Sequence, residues 1–407
     1  MAQSVNRRQA KKRNNGPEGG KRKVVYKRGS IDYAFLFLIM LLLSIGLVML
    51  LSSSAPAGAS KFDNSYHFFF KQIVFVFIGL IGMVFFSKLD YRIYRKFAVP
   101  IFGVCAFLLV LVAIPGIGVK LNGSRRWLPM PGFQLQPSEF MKFAMAVLVA
   151  ALVSTGKYDL KKLKSLAPFG IVLGITAVLM LLEPHLSGTI VIVGIGVCVL
   201  IVAGMPTKPL FLCGIPLGGL TVVLIYFLSP NRFSRLMRFL SPFEDIQRTG
   251  YQIAQALYAM GSGGIFGRGI GQSIQKYSYL PEPYNDFIFS IACEELGLVG
   301  AAIIILLFIL LIIRGLFIAV NSPDHFGTLL ATGITAQVAI QTTLNIAVAS
   351  SSVPNTGVSL PFFSYGGTAI MMLLFEMGVL LNISRYSKNT GISVSKMVSN
   401  FYEKKKK

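Results

Sequence analysis

Residues 287–313 read FIFSIACEELGLVGAAIIILLFILLII, an apolar run interrupted by a single pair of charges, Glu294 and Glu295. About 20 apolar residues cover the hydrocarbon core of a bilayer, so this stretch predicts a membrane-spanning helix. Nine further runs qualify on either side of it: Tyr33–Ser53, Phe68–Phe86, Val99–Ile117, Pro137–Val153, Pro168–Leu182, Leu186–Ala203, Pro209–Leu228, Thr328–Ser350 and Thr368–Ile383. Glu183, Pro184 and His185 form a polar break that favours two helices over one kinked helix there. The fold class expected is an all-α integral membrane protein of about ten transmembrane helices. Composition agrees: of 407 residues 54% are hydrophobic and 14% charged, against roughly 25% charged in a soluble domain.

The net charge of +23 is distributed by topology. Ten Lys and Arg precede the first span, and Lys88, Arg92, Arg95 and Lys96 follow the second. Lys157, Lys161, Lys162 and Lys164 follow the fourth, and a basic tail ends the chain. With ten spans all of these fall on one side, which the positive-inside rule makes the cytoplasm. Both termini are therefore expected in the cytoplasm, with residues 1–30 and 386–407 as basic tails and 31–385 as the membrane domain. The expected N-terminal tail is disordered. No nucleic-acid-reading motif accompanies the charge, so no nucleic-acid partner is expected. Cys105, Cys198, Cys213 and Cys293 lie in or beside apolar runs without metal-like spacing, as buried free thiols do. His67, His185 and His325 are far apart in sequence.

The same topology collects the unusual residues on the outer face. The longest outer connector, residues 229–285 between spans seven and eight, carries apolar Phe233, Leu236, Met237 and Leu240 at helical spacing among Arg232, Arg235 and Arg238. That pattern fits an amphipathic helix on the membrane surface. The following GYQIAQALYAMGSGGIFGRGIG is apolar enough to dip back toward the bilayer. Its Gly267-x-Gly269-x-Gly271 follows no strand and opens no βαβ unit, so it is not a dinucleotide loop.

Ionisable groups at membrane depth are functional candidates by default. Glu139 and Lys142 share one helical face in PSEFMK and are placed to pair; an orienting ion pair and a site role are both open. Asp286 opens the eighth span, where it could be an ordinary helix cap or a desolvated general base. Glu294, Glu295 and Glu376 are expected to hydrogen-bond inside the bundle. Arg126, beside the only tryptophan, Trp127, could grip a pyrophosphate bidentately or flank an interfacial anchor. Ser364-Tyr365-Gly366-Gly367 is either an anion-binding helix start or a plain one.

Four stretches in order, RRWLPMPGFQLQPSEFMKF, GYQIAQALYAMGSGGIFGRGIGQSIQKYSYLPE, NDFIFSIACEELGLVG and NTGVSLPFFSYGGTA, resemble the SEDS family (shape, elongation, division and sporulation) of FtsW, RodA and SpoVE. The resemblance spans about Ile31 to Arg385, and GQSIQKYSYLPEP looks closer to the FtsW/SpoVE branch. It implies a ten-helix SEDS fold and a peptidoglycan glycosyltransferase that polymerises lipid II on the outer face of the cytoplasmic membrane, for division or sporulation. The family's loop aspartate falls on Asp286 and its Glu–Lys pair on Glu139 and Lys142. Gln136, Arg126, Arg232 and Ser364 are the further candidate substrate contacts. Two departures stand out: Tyr284-Asn285 precedes the aspartate in place of His/Gln-Thr, and Glu183-Pro184-His185-Leu186-Ser187-Gly188 replaces Pro-Asp-Leu-Gly. The resemblance further implies lipid II and a lipid-linked glycan strand as substrates. A class B penicillin-binding protein and other divisome membrane proteins are the expected partners. A divalent cation, Mg or Mn, is a candidate at Asp286, and no organic cofactor is expected. The rival readings are a lipid II flippase and a non-catalytic scaffold.

Overall fold

The computed structural model describes residues 29–121, 124–183, 185–209, 250–355 and 357–386, together with 212, 214, 241 and 243. Helices α1 (Tyr33–Phe62) and α2 (His67–Lys88) make the first hairpin. Asp32 caps α1 by accepting from Phe35 N at 3.0 Å, which satisfies one of the N–H groups a helix start leaves open. Short α3 (Arg92–Lys96) leads into α4 (Ala98–Ala113).

The next segment corrects the all-helical expectation. Strands β1 (Val119–Leu121), β2 (Ser124–Met130) and β3 (Phe133–Leu135) form an antiparallel sheet with β2 in the middle. Pro129 and Pro131 are poor helix residues, and Gly132 at φ +83° closes the turn into β3. The sheet delivers the chain to α5 (Pro137–Ser154), which begins on a proline at its first turn. Helices α6 (Leu163–Leu182) and α7 (Leu186–Val202) are separate, as the Glu183–His185 break predicts. Then come α8 (Tyr251–Ser262), α9 (Ile288–Val320), α10 (His325–Ala349) and α11 (Gly367–Ser384).

Nine of the ten expected spans thus correspond to helices. The seventh, Pro209–Leu228, lies outside the described residues except at its edges, as do both tails, Arg232 and the amphipathic stretch around Phe233. Among the described residues six helices are long and apolar enough to cross a membrane by length and composition. Helices α4 and α7 are shorter but apolar. Helix α10 is long but polar, burying Thr332, Thr335, Gln337, Gln341, Thr342 and Asn345. It packs against α5, α7 and α9, so protein and not lipid is its solvent, and its polar groups mark an interior rather than an exposed span.

Two polar contacts gauge the width of the bundle. At one end Arg314 Nε donates to both Asp32 oxygens, at 3.1 and 2.8 Å. At the other end Ser52 donates to Glu295 Oε1 at 2.6 Å. Ser52 stands 20 residues beyond Asp32 on α1, and Glu295 19 residues before Arg314 on α9. At 1.5 Å per residue both paths are about 30 Å, the thickness of a bilayer's hydrocarbon core. The two layers therefore mark its two interfaces.

The Glu295 layer is built by a re-entrant segment, residues 263–276. Helix α9 is broken at Gly297, where φ is +69°. The break frees backbone groups that the helix would otherwise pair, and the segment takes them. Arg268 N and Gly269 N donate to Glu294 O and Glu295 O at 3.0 Å, and Leu298 N and Val299 N donate to Gly264 O and Ile265 O at 2.9 and 3.1 Å. The glutamate side chains reinforce the junction. Glu294 accepts from Ser273 Oγ and from Ile274 N and Gln275 N. Glu295 meets Lys276 Nζ at 2.9 Å, and both are almost wholly buried. Removing one partner of a buried ion pair costs about 3–5 kcal/mol. Lys276→Met should therefore lower the thermal midpoint of the purified protein sharply, and Lys276→Met with Glu295→Leu should recover part of it. An unchanged midpoint in the single variant would show that the pair is not holding the segment.

Candidate active site

Asp286 lies on the turn that precedes α9. The helix cap is Phe287, and no side chain makes a capping bond, so Asp286 is not the commonplace N-cap. Its backbone is pinned instead. Asn345 Nδ2, from α10, donates to Asp286 O and to Val358 O, both at 2.7 Å. Ser364 Oγ donates to Asn285 O at 2.7 Å and accepts from Leu360 N at 2.8 Å. Tyr365 N donates to Tyr284 O at 2.9 Å. The turn carrying the aspartate is therefore stitched to residues 358–365, and Ser364 serves that stitching with both its donor and acceptor. Phe68, Tyr284 and Tyr365 pack ring against ring beneath it.

The Asp286 carboxylate lies against Gly357, where an added Cβ would stand 3.1 Å from Oδ2. Ser187 Oγ at the start of α7 reaches Gly357 O at 3.4 Å. That contact brings the α6–α7 connection to the aspartate, and β2 brings Arg126. Arg126 is close enough to act on the charge of Asp286, Glu183 and His185 alike. Each group answers differently. Burial, helped by the negative charge of Glu282, pushes the Asp286 carboxyl up to about 6, while Arg126 pulls it down. Burial pushes Glu183 up to about 8 against the pull of Arg126. Burial, then the positive charges of Arg126 and Lys142, hold the His185 imidazole well below its ordinary value. At neutral pH the cluster contains an ionised Asp286, a protonated Glu183, a neutral His185 and a cationic Arg126. Both Glu183 carboxyl oxygens and His185 Nδ1 are buried without a hydrogen-bond partner among the described residues. Buried polar groups of that kind are usually satisfied by water or ligand.

Beside this cluster Lys142 Nζ is held by Glu139 at 2.6 Å, with both side chains buried. The pairing expected from their spacing is present. The pair lines a small cavity of about 20 Å³ with Gln337, Gln341, Ser359 and Ser364, room for about one water. Glu376, which accepts from Gln337 at 2.7 Å, is within electrostatic reach of Lys142. Gln136 caps the start of α5 and donates to Ser138 Oγ at 3.1 Å.

The structure thus brings Asp286 and Arg126 together, with Glu139 and Lys142 alongside. It makes Ser364 a brace, and Arg232 lies outside the described residues. Sequence reasoning did not single out Asn345, and it left Glu183 and His185 without a role. A polar residue near the end of an apolar span was the available signal for Asn345. As to a cation, among the described residues no group of three or more His, Cys, Asp or Glu side chains could hold a metal ion.

A multi-pass helical bundle with a carboxylate, a guanidinium and two buried neutral acid–base groups gathered at one interface defines a polytopic membrane enzyme. Residues 33–389 match the FtsW/RodA/SpoVE family, described as "Cell cycle protein", and the chain belongs to that family. It is 42% identical over 364 residues to "Stage V sporulation protein E" of Bacillus subtilis, covering 89% of this chain and 99% of that one. It is 38% identical over 361 residues to "Probable peptidoglycan glycosyltransferase FtsW" of Trichlorobacter lovleyi, covering 88% and 94%. Among solved structures it resembles a chain reported under "Structural coordination of polymerization and crosslinking by a peptidoglycan synthase complex", at 26% identity and a TM-score of 0.74, covering 88% of this chain and 99% of that one. It also resembles the rod shape determining protein RodA of Thermus thermophilus, at 25% identity and a TM-score of 0.66, covering 88% and 98%.

Proposed function

We propose that this protein is a peptidoglycan glycosyltransferase that polymerises lipid II into glycan strands at the outer face of the bacterial cytoplasmic membrane, with Asp286 as general base. The observation that carries the assignment of the base is a half-buried carboxyl poised at about 6 beside Arg126, on a turn braced at three backbone positions. A base with a pKa near the working pH combines the right protonation state with proton affinity.

The acceptor sugar 4-hydroxyl gives its proton to Asp286 as its oxygen attacks the anomeric carbon of the lipid-linked donor strand. The new C–O bond forms on the face opposite the departing group. The bond to undecaprenyl pyrophosphate breaks and its electron pair leaves with the pyrophosphate. Arg126 is the cation placed to meet that developing charge, and a planar guanidinium suits phosphate oxygens. Neutral Glu183 has a proton to donate to a sugar or phosphate oxygen. Lys142, tied to Glu139, adds positive potential from one side. A magnesium or manganese ion would neutralise pyrophosphate charge, carried by the substrate's oxygens, with Asp286 as the candidate protein contact.

Removing Arg126 removes transition-state stabilisation, typically about 10²–10³ in rate for one such donor. Arg126→Ala should therefore cost that much in turnover and also raise the pH at which activity appears, since Arg126 holds Asp286 down. Arg126→Lys should restore the pH profile more than the rate, because charge survives and the planar fork does not. A slow variant with an unmoved pH profile would separate Arg126 from Asp286.

The basic tails and loops support a cytoplasmic position for both termini. A class B penicillin-binding protein is the fitting partner, because a similar chain was solved in a study of polymerization and crosslinking together. The test of the activity is incubation of the purified protein, alone and with that partner, with lipid II and a divalent cation, with moenomycin present to silence classical glycosyltransferases. Glycan polymer that is lost in Asp286→Ala supports the proposal. Lipid II crossing a vesicle bilayer, with no polymer under either condition, would replace it with a flippase.

A further inference from the structure

A second cavity, of about 330 Å³, lies away from Asp286 between α8 and the re-entrant segment. Its apolar wall is Leu257, Tyr258 and Ile274, and its polar wall is Arg268, Gln275 and Glu294. The level of this cavity is set by Glu294, next to Glu295 in the interfacial layer about 30 Å from the Asp32–Arg314 pair. Ile265, Phe266 and Ile270 stand exposed on the same segment, Phe266 at 82%. Apolar side chains left uncovered at that depth face acyl chains. The cavity therefore lies at the level where a lipid headgroup meets the hydrocarbon.

Its polar wall is specific in sign. Arg268 Nε donates to Ser262 O at 3.4 Å and its Nη1 stands 3.9 Å from Glu294, so neither contact is tight. Gln275 Oε1 is buried and accepts no hydrogen bond among the described residues. The wall thus presents a cation on one side and, on the other, an acceptor lacking a donor beside a carboxylate. A phosphate alone would satisfy Arg268 but leave Gln275 unmet and face Glu294. A headgroup with a phosphate and a nearby N–H-bearing cation satisfies Arg268 and Gln275 and matches the charge of Glu294, whose oxygens already accept from Ser273, Ile274 and Gln275.

We propose that this cavity is a binding site for a zwitterionic phospholipid with a primary ammonium headgroup. The phosphate meets Arg268, the ammonium donates to Gln275 Oε1 on the side where Glu294 supplies negative charge, and the chains run over Ile274 and Tyr258. The experiment places the full chain in nanodiscs containing equal phosphatidylethanolamine, phosphatidylcholine and phosphatidylglycerol, releases it into the gas phase and weighs the lipids retained. Phosphatidylethanolamine should be retained about tenfold over each of the others, the scale of one lost charge-assisted hydrogen bond. Phosphatidylcholine lacks the N–H donors and phosphatidylglycerol lacks the cation. Arg268→Gln should reduce retention of phosphatidylethanolamine by a similar factor. Gln275→Leu is the second variant, because the backbone N–H of residue 275 that serves Glu294 survives it; it should abolish the preference over phosphatidylcholine. Equal retention of the three lipids, a preference for phosphatidylglycerol, or an unchanged preference in Gln275→Leu would overturn the site.

Discussion

Asp286→Asn is expected to lower glycan polymerisation by about 10²–10⁴-fold, the usual contribution of a positioned general base. The amide keeps the shape of the side chain and leaves the backbone contacts to Asn345 and Ser364 intact, so the protein should still fold and bind its partner. A scaffold would lose nothing by this change, and a polymerase would lose its proton acceptor. The pH dependence supplies the sign. The carboxyl is raised to about 6, so below that pH it holds its proton and cannot accept another. The rate at limiting substrate should rise about tenfold per pH unit on the acid side and level off above about 6. Glu282 raises the carboxyl and Arg126 lowers it, so Glu282→Gln should move the inflection to lower pH and Arg126→Ala to higher pH. Opposite shifts in these two variants would identify the titrating group as Asp286. An inflection that ignores both would assign it elsewhere, and wild-type rates in Asp286→Asn would end the general-base assignment.

What the sequence made legible was whatever depends on the lipid solvent. Apolar run length and the placement of Lys and Arg act residue by residue, so α1, α2, α5 and α9 could be expected from counting. The Glu139–Lys142 pair was legible for the same reason, since a three-residue spacing decides contact within one helix. Helix α10 was found as a span, but its polar side chains carried no assignment, because whether Asn345 faces lipid, helix or loop depends on neighbours distant in the chain. The contact that matters joins Asn345 to Asp286 and Val358. Glu183 and His185 were visible as a break between helices. Their approach to Arg126 required β2, a strand that a helical expectation passes over. Lys276 was hidden likewise: its partner Ser52 is far from it in sequence, and Glu295, on the next helix, meets it only because the segment folds back on α9. Resemblance located Asp286, and the structure supplied the reason that aspartate is not a cap.

Gly297→Ala should disable the protein without touching the reacting groups. At φ +69° and ψ −170°, a region nearly confined to glycine, an alanine is already strained by about 1–3 kcal/mol, and here that is the smaller effect. The added Cβ would collide with Gly267 N and come within 2.6 Å of Phe266 C and Ile265 O. These are backbone atoms, which no rotamer change can move aside. The segment must withdraw, and the four hydrogen bonds between residues 264–269 and 294–299 go with it. Glu294, Glu295 and Lys276 would then be left in a low-dielectric layer without their partners. Gly271→Ala is the matched control: its φ is +84°, but an added Cβ meets nothing within 4 Å. Thermal unfolding in detergent should therefore separate the two, with Gly271→Ala folded and only mildly weakened and Gly297→Ala lacking a cooperative transition. Equal midpoints would mean that positive φ alone governs both positions and that the re-entrant segment does not hold α9 in this form. Asp286 stands 11 residues before the break. A loosened junction there should also blur the position of the carboxylate, and polymerisation in Gly297→Ala should fail at temperatures where Gly271→Ala still turns over.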